Sequence, residues 1–237
     1  MYSLPHKAQL SASLAKWQLH SQQSVVLLIG LAECQQMVGW ADSLLAQHMH
    51  QILKKAKALE MTVIQLDEAE HMDALIRLGQ SIDADTQLIL LGKMSALFQQ
   101  MLQHVMSMTR QVCVVHDAIL CEHQAQHIQC VERFVRQQVH HMSSASLTRL
   151  WSLSAPKEQI LSPKGILFAI AEQLDCEPYE IHPDVDLRQY GLDSVAMVQL
   201  IALWRANGAH IRYEQFLQHA SVNEIMSILQ PNIDSDR

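Results

Sequence analysis

Glycine and charge are both scarce in this chain. Of its 237 residues seven are glycine and 17% are charged. The glycines never fall into a GxGxxG or Walker pattern, which removes the common phosphate-cradling loops. No apolar run reaches the roughly 18 residues of a membrane span, and the first residues lack the layout of a secretory signal. Five cysteines, an odd number without paired spacing, argue against a disulfide framework and for a reducing compartment. A cytoplasmic protein with no membrane partner is therefore expected. The net charge of -7 argues against nucleic acid as well.

What the chain does have is apolar substance, 49% of its residues, enough for a sizeable core. The charge is unevenly placed. Before Pro156 there are 11 basic and 12 acidic residues; from there on, 6 basic and 12 acidic. The acidity thus lies in the last third, which suits partners with basic patches.

The first 150 residues alternate two rhythms. Ser24 to Ile29, Met61 to Leu66, Gln87 to Leu91, Val112 to Val115 and Val139 to Met142 are short apolar runs, as buried parallel strands require. Between them lie amphipathic stretches near 41–59, 95–108 and 122–137. Strands alternating with helices predict an α/β domain with a parallel sheet covered on both faces. Trp151 to Ser162, polar and broken by Pro156, reads as the connection. The domains are set at 1–152 and 162–232, with a linker over 153–161.

The last third has a four-helix pattern. Ser162-Pro163 is a helix start, and Ile166, Leu167, Ile170, Ala171 and Leu174 keep helical spacing. A long acidic loop then leads to Tyr190-Gly191-Leu192-Asp193-Ser194. A second helix follows to about Ala206, stopped by Asn207-Gly208. A short third helix is expected near Tyr213 to His219. Ser221 with Glu224 forms a capping box for the last one, which Pro231 ends. A serine at a helix N-terminus has an exposed hydroxyl among free N–H groups, and the partial positive charge there suits a phosphodiester. Asp193 is placed to cap the helix and to help hold a Mg²⁺ ion during transfer, and Gly191 allows the sharp turn. On the tetrapeptide alone, an ordinary helix start fits as well. The surrounding helices favour an attachment site.

Residues 158–230 resemble an aryl carrier protein of siderophore assembly lines, the kind fused behind isochorismatase. The segment from Tyr190 to Leu217 carries the likeness, especially Trp204-Arg205 and Ile211-x-Tyr213. The resemblance implies that Ser194 bears a covalent 4'-phosphopantetheine with Asp193 in support. The arm would hold an aryl acid as a thioester, 2,3-dihydroxybenzoate first and salicylate second. The implied partners are a phosphopantetheinyl transferase, a stand-alone aryl-acid adenylating enzyme, and a condensation or cyclisation domain of a nonribosomal peptide synthetase. Met197, Val198, Tyr213 and Leu217 are the expected partner-facing residues.

The first half resembles the isochorismatase-like fold. Tyr2-Ser3-Leu4-Pro5, Trp17 with the first strand, Gln87 to Gly92, and Asp117-Ala118-Ile119 with His127 carry that likeness. The family's catalytic residues do not follow. Aligned on Leu27-Leu28-Ile29, the Asp position is Leu31; counted from Gly92, the Cys position is Gln99; and Asp67 to Asp85 holds no lysine. Leucine cannot exchange a proton and glutamine is a poor nucleophile. The expectation is a shortened, degenerate domain without independent catalysis, serving as scaffold. Glu33 or Cys34, close after the first strand, are the residues that could replace the acid. The alternative is an active bifunctional protein that hydrolyses isochorismate to pyruvate and 2,3-dihydro-2,3-dihydroxybenzoate. The family often self-associates, so a homodimer joins the expected partners. Cys121, His123, His127 and Cys130 have helical spacing that suits zinc, but among 14 histidines a packed helix with satisfied imidazoles is the better reading, and no metal is expected.

Overall fold

Short apolar runs become strands and amphipathic ones become helices, and the chain divides into two units, residues 1–154 and 155–237. The structure, a computed structural model, describes residues 2–13, 17–67, 82–83, 85–109, 111–218 and 220–229. Most of the segment from Asp67 to Asp85, together with His219 and Pro231, lies outside the described residues. No helix among the described residues is long and apolar enough to cross a membrane.

The first unit is built on strands β1 (Ser24–Ile29), β2 (Thr62–Leu66), β3 (Gln87–Lys93), β4 (Val112–Leu120) and β5 (His140–Met142). All pair parallel in the order β2-β1-β3-β4-β5. Helices α1 (Leu31–Gln35) and α2 (Leu44–Ala58) follow β1, α3 (Ala96–Met108) follows β3, α4 (Gln124–Arg136) follows β4, and α5 (Ser144–Ser154) follows β5. Strand β1 is apolar from Val25 to Ile29 because both its faces are covered. Val25, Leu27 and Ile29 pack with Phe98, Val105 and Phe134 on one side. Val26 and Leu28 pack with Met49, Ile52 and Trp151 on the other. Gly92 lies where β3 passes β1 most closely. Its φ is +123°, and a Cβ there would stand 1.9 Å from the Ile29 carbonyl oxygen.

Strand β4 runs past its apolar start. Leu90 pairs with Val114, but Gly92 pairs with Ile119, so extra residues bulge from the ladder between them. The bulge places His116 and Asp117 beside the start of α5, where the Asp117 carboxylate accepts the Ser144 N–H at 2.7 Å and the Ser144 hydroxyl at 2.8 Å. Asp117 thus caps a helix, a structural task that explains its place in the Asp-Ala-Ile stretch.

The expected linker over 153–161 is largely helical. Helix α5 extends to Ser154, and Lys157–Ile160 form a further short helix, α6. Proline cannot sit in a helix interior, so Pro156 ends one helix and precedes the next. Trp151, placed by the sequence in the connection, is fully buried in the first unit. Its Nε1–H donates to Ser24 Oγ at 2.9 Å, and that hydroxyl donates to the His20 carbonyl at 2.8 Å.

The second unit continues with α7 (Pro163–Gln173), α8 (Ser194–Ala206), α9 (Tyr213–Gln218) and α10 (Val222–Leu229). Ser162 Oγ accepts the Gly165 N–H at 3.0 Å, with Pro163 in the first turn. Ser221 and Glu224 cap α10 reciprocally, at 3.1 and 3.4 Å. Trp204 is fully buried and stacks on Phe216 with ring centroids 5.8 Å apart. Among the described residues its Nε1–H has no hydrogen-bond partner.

The two tryptophans offer a matched comparison. Trp151→Phe and Trp204→Phe remove the same volume from a packed core, but only the first breaks a hydrogen bond. Trp151→Phe is expected to cost about 1 kcal/mol more than Trp204→Phe. Urea unfolding of the intact chain measures both, and equal losses would contradict the assignment.

Candidate functional site

Ser194 is the first residue of α8 and is exposed. Asp193 precedes it in extended backbone (φ −91°, ψ 175°), and its Oδ1 accepts the Ala196 N–H at 2.8 Å. The Asp193 carbonyl takes the Met197 N–H at 3.0 Å. Among the described residues the Ser194 and Val195 N–H groups have no partner, so the helix start presents two free donors and an exposed hydroxyl. An N-cap of this kind is worth about 1 kcal/mol.

The loop before Asp193 is pinned at both ends. Leu187 and Leu192 are buried, the Leu187 N–H donates to the Ala220 carbonyl at 2.9 Å, and the Leu192 N–H donates to the Leu187 carbonyl at 3.2 Å. Between them Gly191 has φ +95° with no atom within 4 Å of where a Cβ would stand. Backbone conformation, not crowding, is what calls for glycine there. Asp186 and Arg188 form an ion pair on the exposed side of this loop. The hydrogen bond from Arg188 holds the Asp186 carboxyl below the usual carboxylate range.

Around the serine the apolar residues divide between core and surface. Met197 is 3% exposed and belongs to the buried stripe with Leu200, Ile201 and Trp204. This corrects its assignment to the partner-facing surface: Leu200, Ile201 and Trp204 follow it at three, four and seven residues, so it shares their core-facing side of the helix. Val198 is 55% exposed and Leu217 39%, with Tyr213 half-buried. Val195, 62% exposed, stands next to Ser194. Its separation from Val198 by three residues, off the core register of Met197 and Leu200, is the signal that places it outside.

The residues that carry the aryl-carrier likeness do other work. Trp204 packs on Phe216, and the Arg205 guanidinium donates to the Ile211 carbonyl at 2.7 Å, fixing the chain after the helix. Ten residues of helix separate Trp204 from Ser194, about 15 Å at 1.5 Å per residue. They stabilise the unit that holds the serine and stand well away from its hydroxyl.

In the first unit, Leu31 opens α1 and is half-buried, and Gln99 is exposed on α3. Cys34 is fully buried, and burial, with the Glu33 charge adding, pushes its thiol up to about 12. A thiol held that way is no acid or nucleophile at neutral pH. Glu33 folds back over Gly30, where a Cβ would lie 2.5 Å from its Oε2 and 3.1 Å from Lys93 Cβ. Among the described residues neither Glu33 Oε2 nor Asp67 Oδ1, both buried, has a hydrogen-bond partner. Glu33 and Lys93 therefore share one end of β1 and β3, a neighbourhood that sequence reasoning missed. Gly92 lies in register with Ile29, which brings Lys93 to the end of β1, and no signal in the local sequence gives that register.

The cysteine–histidine cluster is spoken for. The His127 Nε2–H donates to the His116 carbonyl at 2.7 Å, and its Nδ1 accepts the Tyr2 hydroxyl at 2.9 Å. Tyr2 in turn accepts the Cys121 N–H at 3.0 Å. Burial lowers the pKa of His127, as a neutral ring bonded at both nitrogens requires. The His123 ring caps α4, accepting the Gln126 N–H at 3.0 Å. Among the described residues no group of three or more ligating side chains could hold a metal ion.

Comparison with known proteins agrees with this geometry. Residues 164–229 match the family described as "Phosphopantetheine attachment site". The chain is also 30% identical over 78 residues to the isochorismatase of Bacillus subtilis (strain 168). That likeness spans 33% of this chain and 25% of the Bacillus protein, a small part of the relative's length. A parallel five-stranded α/β unit is thus followed by a helical unit, and residues 164–229 of that unit are a phosphopantetheine-attachment domain.

Proposed function

We propose that this protein is an aryl carrier whose arm is attached at Ser194. The carrying observation is an exposed serine at the head of a capped helix inside a phosphopantetheine-attachment domain. Ser194 Oγ would attack the coenzyme A pyrophosphate in a transferase complex, forming a phosphodiester and releasing adenosine bisphosphate. The free N–H groups of Ser194 and Val195 and the helix dipole suit the new phosphate. Asp193 holds the helix start in place and lies where it could help bind the transferase's Mg²⁺. Attached there, the arm supplies a thiol on a flexible tether. An aryl-acid adenylating enzyme would load that thiol with 2,3-dihydroxybenzoate, or with salicylate in its place. A condensation or cyclisation domain of a nonribosomal peptide synthetase would then take the aryl group toward a siderophore. Val195, Val198, Leu217 and Tyr213 form the apolar part of the surface these partners would meet, rimmed by the acidic loop. The partial likeness to an isochorismatase and the segment from Tyr190 to Leu217 support the aryl cargo. In this reading the protein works in the cytoplasm, and the first unit is a non-catalytic scaffold, with a homodimer as its expected assembly.

Loading tests the cargo. Arm-bearing protein given an aryl-acid adenylating enzyme, ATP and either 2,3-dihydroxybenzoate or salicylate is expected to form a thioester, read by intact mass. Octanoate with a fatty-acyl adenylating enzyme is expected to give none. Loading by octanoate and by neither aryl acid would refute the aryl reading.

The proximity of Glu33 and Lys93 favours a second reading, an active isochorismatase, because it returns a carboxylate and an ammonium to one strand edge. Against it stand the enclosed Glu33 oxygen and the Leu31 side chain at the acid's position. Purified protein is expected to release no pyruvate from isochorismate. Turnover that disappears in both Glu33→Gln and Lys93→Met would establish the second reading.

A further inference from the structure

Beside β4 and β5 the first unit contains a cavity of about 680 Å³, within the usual size of a small-molecule site. Its lining includes apolar Leu10, Leu44 and Met142 and polar His48, His116, Asp117 and His141. Neither the carrier domain nor the strand edge at Glu33 contributes to it.

The hydrogen bonds assign the ring protons. His48 Nδ1–H donates to the Asp117 carbonyl at 2.9 Å, with the Asp117 carboxylate 3.6 Å away. In the neutral ring its lone pair is then on Nε2. His116 Nδ1 and His141 Nδ1 lie 3.3 Å apart, so one donates to the other. His141 is 6% exposed, and among the described residues its Nε2 has no hydrogen-bond partner. With its proton on Nδ1, His116 donates to His141 and keeps a lone pair on Nε2 for a ligand. Burial holds both rings neutral, with His116 brought down to about 4. Among the described residues neither His48 Nε2 nor His116 Nε2 is bonded.

Among the described lining residues there is no lysine or arginine, and Asp117 is the one carboxylate. A carboxylate ligand would lose its hydration and meet Asp117 with no such cation to pair with it. A cation would compete with Ser144, which already donates to both Asp117 oxygens. We propose that this cavity binds an uncharged hydroxylated aromatic molecule, its hydroxyls donating to His48 Nε2 and His116 Nε2 and its ring lying against Leu10, Leu44 and Met142. The site is separate from Ser194, so it stands or falls independently of the carrier reading.

Calorimetric or ligand-observed NMR titration of the full chain tests this, with catechol as probe and benzoate and benzylamine as charged comparators. Catechol is expected to bind saturably, and each comparator at least tenfold more weakly. His48→Leu and His116→Leu are each expected to weaken catechol about tenfold, the equivalent of one hydrogen bond. Leu10→Trp, which fills the cavity and keeps both rings, is expected to abolish binding. Ser194→Ala is expected to leave it unchanged. Circular dichroism establishes that each variant is folded, and His48, being partly exposed, is the substitution least able to disturb the core. Failure of catechol to saturate, benzoate binding as tightly as catechol, or undiminished binding in folded His48→Leu and Leu10→Trp would each overturn the proposal.

Discussion

A single bond, from the Ala196 N–H to Asp193 Oδ1, decides what the second unit can do. It ends the acidic loop and starts α8 at one residue, so that Ser194 emerges at the head of the helix and not inside it. Gly191 makes the approach possible through its left-handed backbone, and the buried pair Leu187 and Leu192 clamps the loop on either side of it. The stacked Trp204 and Phe216 then keep the helix seated. None of these residues needs to touch a cargo. Their common effect is to hold one hydroxyl in the open beside unpaired N–H groups, which is what an attachment serine requires of its protein.

The first unit is organised by a different constraint, a parallel sheet buried on both faces. That constraint makes Gly92 obligatory, drives the apolar runs, and forces polar side chains to the strand ends and to the β4 bulge. In a sheet of order β2-β1-β3-β4-β5 the strand ends at β1 and β3 flank the place where the direction of winding reverses, the usual ligand crevice. Here that edge holds Glu33 packed over Gly30, with Lys93 alongside. The cavity lies instead beside β4 and β5, where the bulge delivers His116 and Asp117.

Much of this was legible in the sequence, and the exceptions have physical causes. Strand runs such as Ser24 to Ile29 and Gln87 to Leu91 were readable because burial on both faces leaves no polar interruption. Ser162-Pro163 and Ser221 with Glu224 were readable because caps are local chemistry. The β4 extension was not, since His116-Asp117 breaks the apolar pattern at the bulge. The helical character of 153–161 was hidden by Pro156, whose boundary role looks the same in a linker. Met197 was set on the wrong face because an apolar helix shows no polar face from which to set its rotation. The pairing of Glu33 with Lys93 depends on strand order, which no local pattern encodes. Within the site itself, Ser194, Asp193 and Gly191 were readable because their tasks are set by backbone geometry, whereas the packing of Trp204 on Phe216 and the Arg205 bond to the Ile211 carbonyl depend on the tertiary fold.

The central claim is that Ser194 takes the arm. Incubating the intact chain with coenzyme A, Mg²⁺ and a phosphopantetheinyl transferase, then digesting it and sequencing the peptides by mass spectrometry, tests it directly. The expected result is one arm per chain, on the peptide containing Gly191 to Val195, with none on Ser194→Ala. An unmodified chain, or an arm on another serine, would contradict it.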